Sequence, residues 1–207
     1  MTEIEKMING KIYDSNDKEL IAKRKRAHAL CKKYNETLDK NQKRRNKIIH
    51  QLLPNHQEGL YLQGPIYIDY GEFITFGKHC YANFNLTILD TCPVNIGDNV
   101  YIGPNVSILT PKHPLYYNDR NMYFDKEKGY WTDKEYASPI KIGDNCWICG
   151  NVTICGGVTI GSGSVIGAGS VVVKDIPENS LAFGNPCKVQ RKIVESDKLE
   201  FKQELFV

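Results

Sequence analysis

Among the five histidines of the chain, His113 stands in the setting that acid–base chemistry needs. It follows the strand-like stretch NVSILT, lies between Lys112 and Pro114, and opens a long segment of loop-like composition. An imidazole held by a rigid wall and exposed beside a loop suits a general base, because this group titrates near neutrality. His28, His50 and His56 fall in a basic front end and His79 in a Gly-Lys-His turn, so each reads as solvated or structural. His113 itself still admits a structural role on these residues alone. Other chemical signals dissolve into the local pattern. Cys146-Trp-Ile-Cys149 has the CxxC spacing of redox motifs, but in extended chain residues three apart face opposite sides and cannot close a disulfide. Gly161-Ser-Gly163 followed by Gly167 resembles a dinucleotide loop without the βαβ unit that would give it meaning. A GxSxG nucleophile elbow is absent, and the histidines are too few and scattered to suggest a metal site.

A base needs a wall to hold it, and the sequence encodes one. Aliphatic residues recur every sixth position at Ile142, Ile148, Ile154, Ile160, Ile166 and Val172, with glycine directly after three of them. The pattern appears earlier at Ile96, Ile102 and Ile108, and more weakly at Ile74, Phe76-Gly77 and Ile88. A period of six is that of a parallel β-helix built from hexapeptides. Three hexads make a triangular coil of about 18 residues whose aliphatic side chains point inward, each contributing roughly 1.5–3 kcal/mol through burial. Between Ile108 and Ile142 the register is lost. The segment TPKHPLYYNDRNMYFDKEKGYWTDKEYASP predicts an excursion over residues 109–139, and its aromatic content favours an ordered, functional loop.

Residues 1–60 read differently. Asp17 predicts an N-cap for a helix beginning near Lys18, with Leu20, Ala27, Cys31, Tyr34 and Leu38 on one face and the KRKR run at 23–26 in solvent. A second helix is expected from about Lys40 to Leu53, stopping at Pro54, with Ile48, Ile49, Leu52 and Leu53 buried. This front end carries 14 Lys/Arg against 8 Asp/Glu, whereas residues 61–207 carry 13 against 16. The expected organisation is a helical region 1–60, a β-helix 61–190 and a tail 191–207. Composition is that of an ordinary globular protein, 41% hydrophobic and 25% charged, with no apolar run long enough to span a membrane. The charged N-terminus does not read as a secretory signal, and the odd count of seven cysteines suggests reduced thiols, so a cytoplasmic protein is expected. The basic run lacks aromatic interleaving or a base-reading motif, which argues against nucleic acid.

Taken in order, EKMINGKIYD, YANFN at 81–85, IGDNVYIGPNV at 96–106, KHP at 112–114, PIKIGDNCWICG at 139–150, GVTIGSGSVIGAGSVVVKDIP at 157–177 and FGNPCKV at 183–189 resemble the maltose/galactoside O-acetyltransferases. The resemblance extends to about residue 192. It implies a left-handed β-helix, a homotrimer with sites between adjacent prisms, and acetyl transfer from acetyl-CoA to a hydroxyl of a sugar or related small acceptor, with no metal. His113 matches the family's catalytic histidine. A backbone N–H near Gly150 would stabilise the oxyanion. The resemblance further implies that Asn83, Trp147, Gly150, Ala168, Val173 and Lys174 meet the cofactor, with Lys188 and Arg191 at its phosphates. On the acceptor side it implies Asp69, Tyr81, Asn85 and Glu135, with Asp17 or Asp14 near another such position. Three departures bear on function. Val173 replaces a hydroxyl-bearing residue, Lys188 stands where arginine is frequent and so loses a bidentate phosphate contact, and the excursion is about ten residues longer than the family's. Two rivals remain: an O-acetyltransferase acting on an antibiotic hydroxyl, which the 60-residue front end disfavours, and a non-catalytic β-helix scaffold.

Overall fold

The computed structural model describes residues 1–205; the last two residues of the expected tail, 206 and 207, lie outside it. From Asn55 onward the chain winds into a parallel β-helix with three walls. The first wall stacks Asn55–His56, Ile74–Phe76, Val94–Ile96, Ile140–Ile142 and Thr159–Ile160. The second stacks Tyr61–Leu62, Tyr81–Ala82, Tyr101–Ile102, Trp147–Ile148, Val165–Ile166 and Ser180–Phe183, and ends on the antiparallel strand Lys188–Lys192. The third stacks Ile66–Ile68, Leu86–Leu89, Ser107–Leu109, Thr153–Cys155 and Val171–Val172. The six-residue aliphatics fill the interior: Ile96, Ile102, Ile108, Ile142, Ile148, Ile154, Ile160, Ile166 and Val172 are buried in one continuous core. Asparagines turn the corners, since they tolerate the left-handed backbone better than other side chains. Asn85, Asn105 and Asn151 all have φ near +60° and are joined side chain to side chain at 2.9 and 3.2 Å.

The coils are not uniform. After the excursion, wall partners are 18 residues apart, as Thr153 with Val171, and 16 apart in the last coil, as Val165 with Leu181. Before it they are 20 apart, as Ile66 with Leu86 and Leu86–Leu89 with its successor at Thr87↔Ser107. The extra residues collect at the corner between third and first walls, at 69–73 and 89–93. Asp90, fully buried there, accepts the backbone N–H groups of Tyr70 (2.8 Å) and Gly71 (2.7 Å) and stitches the two widened turns together. The excursion leaves from the same corner one coil later.

Two helices, α2 (Lys18–Asn35) and α3 (Gln42–Leu52), cover the open end of the prism, while α1 (Glu3–Ile8) buries Met7 with Tyr13, Leu20 and Tyr70 beside the widened corner. An uncapped β-helix would expose its apolar column; here Ile48, Ile49, Leu52 and Leu53 plug it and join its core. Asp17 caps α2 by accepting from the Glu19 and Leu20 N–H groups. Two expectations need correction. Leu38 lies beyond the end of α2 and is exposed. The 23–26 run is not all solvent-facing: Lys23 pairs with Glu72 (2.9 Å), and Arg24 donates to the Tyr70 hydroxyl and the Ser15 carbonyl, both at 2.8 Å.

The excursion is ordered. It contains a short helix α4 (Tyr117–Arg120), a hairpin of Tyr123–Asp125 with Tyr130–Thr132, and a strand Lys134–Ala137. That last strand lies between two partners, antiparallel to both: Pro111–Lys112 on one side and Tyr13–Asp14 on the other. The hairpin is latched to the front end by buried Asp14, which accepts from Lys128 Nζ (2.6 Å), the Tyr130 hydroxyl (2.6 Å) and Thr132. Burial alone would raise the Asp14 carboxyl, yet these hydrogen bonds, that from Lys128 foremost, hold it down at about 2.

Candidate active site

His113 directly follows Pro111–Lys112, the edge of the small three-stranded patch, and its ring is 45% exposed. In that patch Tyr13 is registered opposite Glu135, and its hydroxyl donates to Glu135 Oε2 at 2.5 Å. The other carboxylate oxygen, Oε1, lies 3.9 Å from His113 Nε2. Burial first, and the adjacent Glu135 charge second, push the Tyr13 phenol well above its ordinary range, so it stays a donor. Asp133, two residues before Glu135 and on the same face of the strand, offers a second carboxylate; donor atoms of His113, Asp133 and Glu135 all lie within 4.8 Å of one another. Asp133 is held in turn by the Ser15 hydroxyl at 2.6 Å.

These side chains open onto a cavity of about 350 Å³ whose floor is the widened corner. Tyr70, Leu89, Thr91 and Pro111 line it from three successive coils, and Arg24, His28 and Asp69 close the far side. His28 Nε2 and Asp69 Oδ1 are 3.2 Å apart. Three of the predicted site residues, His113, Glu135 and Asp69, therefore meet in one concavity. Tyr13, Arg24 and His28 join them without having been singled out by sequence reasoning, and Asp133 stands beside His113 and Glu135 without lining the cavity; the alternation of Asp133 with Glu135 was the one readable hint.

A second concavity of about 300 Å³ lies on the second wall. It unites Tyr81, Asn83, Trp147 and Gly150 with Tyr101, Gly103 and Pro104. The backbone comes close here: a Cβ on Gly103 would stand 2.6 Å from the Gly150 nitrogen. Among the described residues no backbone acceptor takes the Gly150 N–H, while its carbonyl accepts from Gly169 at 3.0 Å. An exposed aromatic ladder continues along this wall, with Tyr61, Tyr81 and Tyr101 ring centroids 6.0 and 6.4 Å apart in sequence and Trp147 half exposed beyond them. Within one chain this cluster and the His113 cluster occupy different walls and share no residue.

The remaining predicted residues are distributed as follows. Ala168, Val173, Lys174 and Lys188 are exposed in the coils beyond Trp147. Arg191 is exposed but already forms a bidentate pair with Asp197, both contacts at 2.7 Å. Two acceptor-side residues lie outside both concavities of the single chain. Asn85 is a corner residue whose amide serves the asparagine ladder, and Asp17 is the helix cap of α2, lining neither concavity. Asp14 is turned to the hairpin latch rather than to the His113 cavity.

Comparison with known proteins bears directly on this arrangement. Residues 6–57 match the maltose acetyltransferase hexapeptide capping motif, and residues 139–174 match the bacterial transferase hexapeptide, six repeats. The galactoside O-acetyltransferase of Escherichia coli is 39% identical over 194 residues, covering 94% of this chain and 91% of that one. The crystal structure of a maltose O-acetyltransferase from Clostridium difficile superposes with a TM-score of 0.83 at 44% identity, covering 94% of this chain and 99% of that one. A galactoside acetyltransferase in complex with coenzyme A superposes with a TM-score of 0.85 at 38% identity, over 95% of this chain and 94% of the other. A capping motif on the helical front end, hexapeptide coils above it and full-length similarity to both enzymes lead to one conclusion: the chain belongs to the maltose/galactoside O-acetyltransferase family of hexapeptide-repeat acyltransferases.

Proposed function

We propose that the protein transfers the acetyl group of acetyl-CoA to a hydroxyl of a sugar or related small acceptor, working as a homotrimer with His113 as general base. The observation that carries this reading is the exposed imidazole on the rim of a polar cavity, with the Tyr13-braced carboxylate of Glu135 behind it. His113 takes the acceptor O–H proton as that oxygen attacks the thioester carbonyl. The Gly150 N–H is suited to receive the oxyanion, each such donor being worth roughly 10²–10³ in rate. Collapse expels the CoA thiolate, and the imidazolium returns the proton to sulfur, so charge and protons balance over the cycle. Glu135 faces the imidazolium while it exists; long contacts of this kind in a ligand-free site tighten around substrate.

Trp147, Asn83 and the glycine-lined backbone at Gly103 and Gly150 offer an apolar-walled slot for pantetheine; Lys188 offers a cation farther along the same wall, and Lys174 another at the corner after the third wall. That the two half-sites sit on different walls supports assembly in which the second wall of one protomer faces the His113 corner of its neighbour, which a three-fold ring provides. All seven cysteines are free thiols, which supports a reducing, cytoplasmic setting. Screening CoA release with acetyl-CoA across monosaccharides, disaccharides, amino sugars and hydroxylated antibiotics tests the reading. Release with sugars supports it. Release with antibiotics alone favours the xenobiotic rival, and neither release nor acetyl-CoA binding by calorimetry favours a scaffold.

A further inference from the structure

Two carboxylates of the excursion, Asp133 and Glu135, stand against His113, and among the described residues no lysine or arginine pairs with either. One oxygen of each is tied down from the front end. Tyr13 donates to Glu135 Oε2 at 2.5 Å, and Ser15 donates to Asp133 Oδ1 at 2.6 Å. The other oxygens, Glu135 Oε1 and Asp133 Oδ2, accept no hydrogen bond among the described residues, and Oε1 lies 3.9 Å from His113 Nε2. An imidazole nitrogen and two carboxylate oxygens within 4.8 Å of one another make a donor set for a divalent cation. We propose that His113, Asp133 and Glu135 form an inhibitory site for a divalent transition metal such as zinc. The metal site stands on this geometry; its inhibitory effect rests on the reading of His113 as general base.

The donor set selects the class of ion. Magnesium and calcium take oxygen ligands, whereas a neutral imidazole suits zinc, copper, nickel and iron(II). One nitrogen and two oxygens from the protein, with a further position left to water, is a pattern that zinc accepts. Ligand atoms around a tetrahedral zinc stand roughly 3.3 Å apart, so the 3.9 Å His113–Glu135 separation closes with a contraction of about half an ångström. The His113 ring is exposed and has room to turn. Tyr13 and Ser15 already provide the hydrogen bonds that orient ligating carboxylates from behind. A metal on Nε2 takes up the lone pair that would receive the acceptor proton. His113 and Glu135 also line the acceptor cavity, so ion and acceptor compete for one place. The ion blocks the reaction, and no step of the transfer runs through it.

Calorimetry with Zn²⁺ on the untagged, reduced full-length protein tests the site. The expected result is one Zn²⁺ per chain, with acetyl-CoA affinity unaltered. Asp133→Asn and His113→Ala should each weaken Zn²⁺ binding about tenfold or more. His50→Ala should leave it unchanged; His50 Nδ1 and His56 Nε2, 2.9 Å apart, are a second place where zinc could settle. With a competent sugar, Zn²⁺ should inhibit CoA release in competition with the acceptor and not with acetyl-CoA. Asp133→Asn, read against its own metal-free rate, should need about tenfold more Zn²⁺ for equal inhibition. Absence of binding overturns the proposal and leaves the acetyltransferase reading intact. Binding untouched by Asp133→Asn and His113→Ala, or lost in His50→Ala, overturns it too, as does inhibition in competition with acetyl-CoA. Binding that follows these variants in a protein that acetylates no acceptor upholds the metal site and overturns the reading of His113 as base, with the inhibitory role that rests on it.

Discussion

The coils after the excursion and the coils before it follow the same plan with different spacing, and their surfaces differ accordingly. Above the excursion the walls repeat every 18 residues, shortening to 16 in the last coil, and outward positions present small residues, Trp147 and a few lysines on an even surface. Below it they repeat every 20, and the added residues at one corner, with the excursion strand and the front end, make a cavity ringed by titratable groups. A regular solenoid is a good surface on which to lay a long cofactor. To gather an imidazole, carboxylates and a phenol around one small molecule, the chain has to leave the repeat. The groups that line the His113 cavity accordingly come from the interruptions: Tyr13 from the front end, Asp69 from a widened turn, His113 and Glu135 from the two roots of the excursion.

The largest effect separating the two regions should come from His113→Ala. Turnover is expected to fall by about 10²–10⁴ with little change in acetyl-CoA affinity by calorimetry, since the base and the cofactor slot lie on different walls. An unchanged rate would remove the lower region from the chemistry. Next in size is Tyr13→Phe, which deletes only the hydroxyl that braces Glu135. The expected loss is about three- to tenfold in kcat, equivalent to roughly one hydrogen bond, with the KM for acetyl-CoA unchanged. A rise in that KM instead would mean that the front end acts on the upper region.

The hairpin latch offers a test by pH. Asp14 is held at about 2, below its ordinary value of 3.8, so its hydrogen bonds stabilise the latch fully above about pH 4 and are lost as pH falls from there toward 2. Trp131 fluorescence in a Trp147→Phe background should therefore report hairpin release over that window before the coils unfold. Asp14→Asn should weaken the latch by about 1–3 kcal/mol at neutral pH and remove this pH-dependent step. Release that tracks global unfolding in both proteins would show that the hairpin has no separate stability. The smallest expected effect belongs to the upper region: Lys188→Arg restores bidentate phosphate geometry and should tighten CoA by a few-fold, read by calorimetry.

The two regions also differed in how far the sequence revealed them. The six-residue period announced the β-helix and its buried column because each inward aliphatic has one job, filling the prism. The Ile68, Ile88, Ile108 spacing of 20 was equally visible in the chain, but its meaning, a widened corner, depends on which residues pair across coils. Asp17 as a cap was readable because capping is local. Arg24 was not, because in a basic run only the neighbouring Tyr70 and Ser15 distinguish it from the exposed Lys25 and Arg26. Tyr13 pairs with Glu135 across 122 positions, a separation at which no local pattern carries information. Asn85 has a structural role its motif did not announce: it sits two residues from Asn83, and its backbone is left-handed and its amide belongs to the corner ladder.

In the proposed trimer, His113 of one protomer works with the Asn83 and Trp147 wall of the next. Subunit complementation tests it most directly. His113→Ala and Asn83→Ala proteins, each inactive alone, are mixed, dissociated and reassembled, and CoA release is measured with a competent sugar. Under random assembly roughly a quarter of the interfaces regain both intact halves, so activity should return to about that fraction of wild type. Mixed oligomers that form but stay inactive would contradict the claim and return both halves of the site to a single chain.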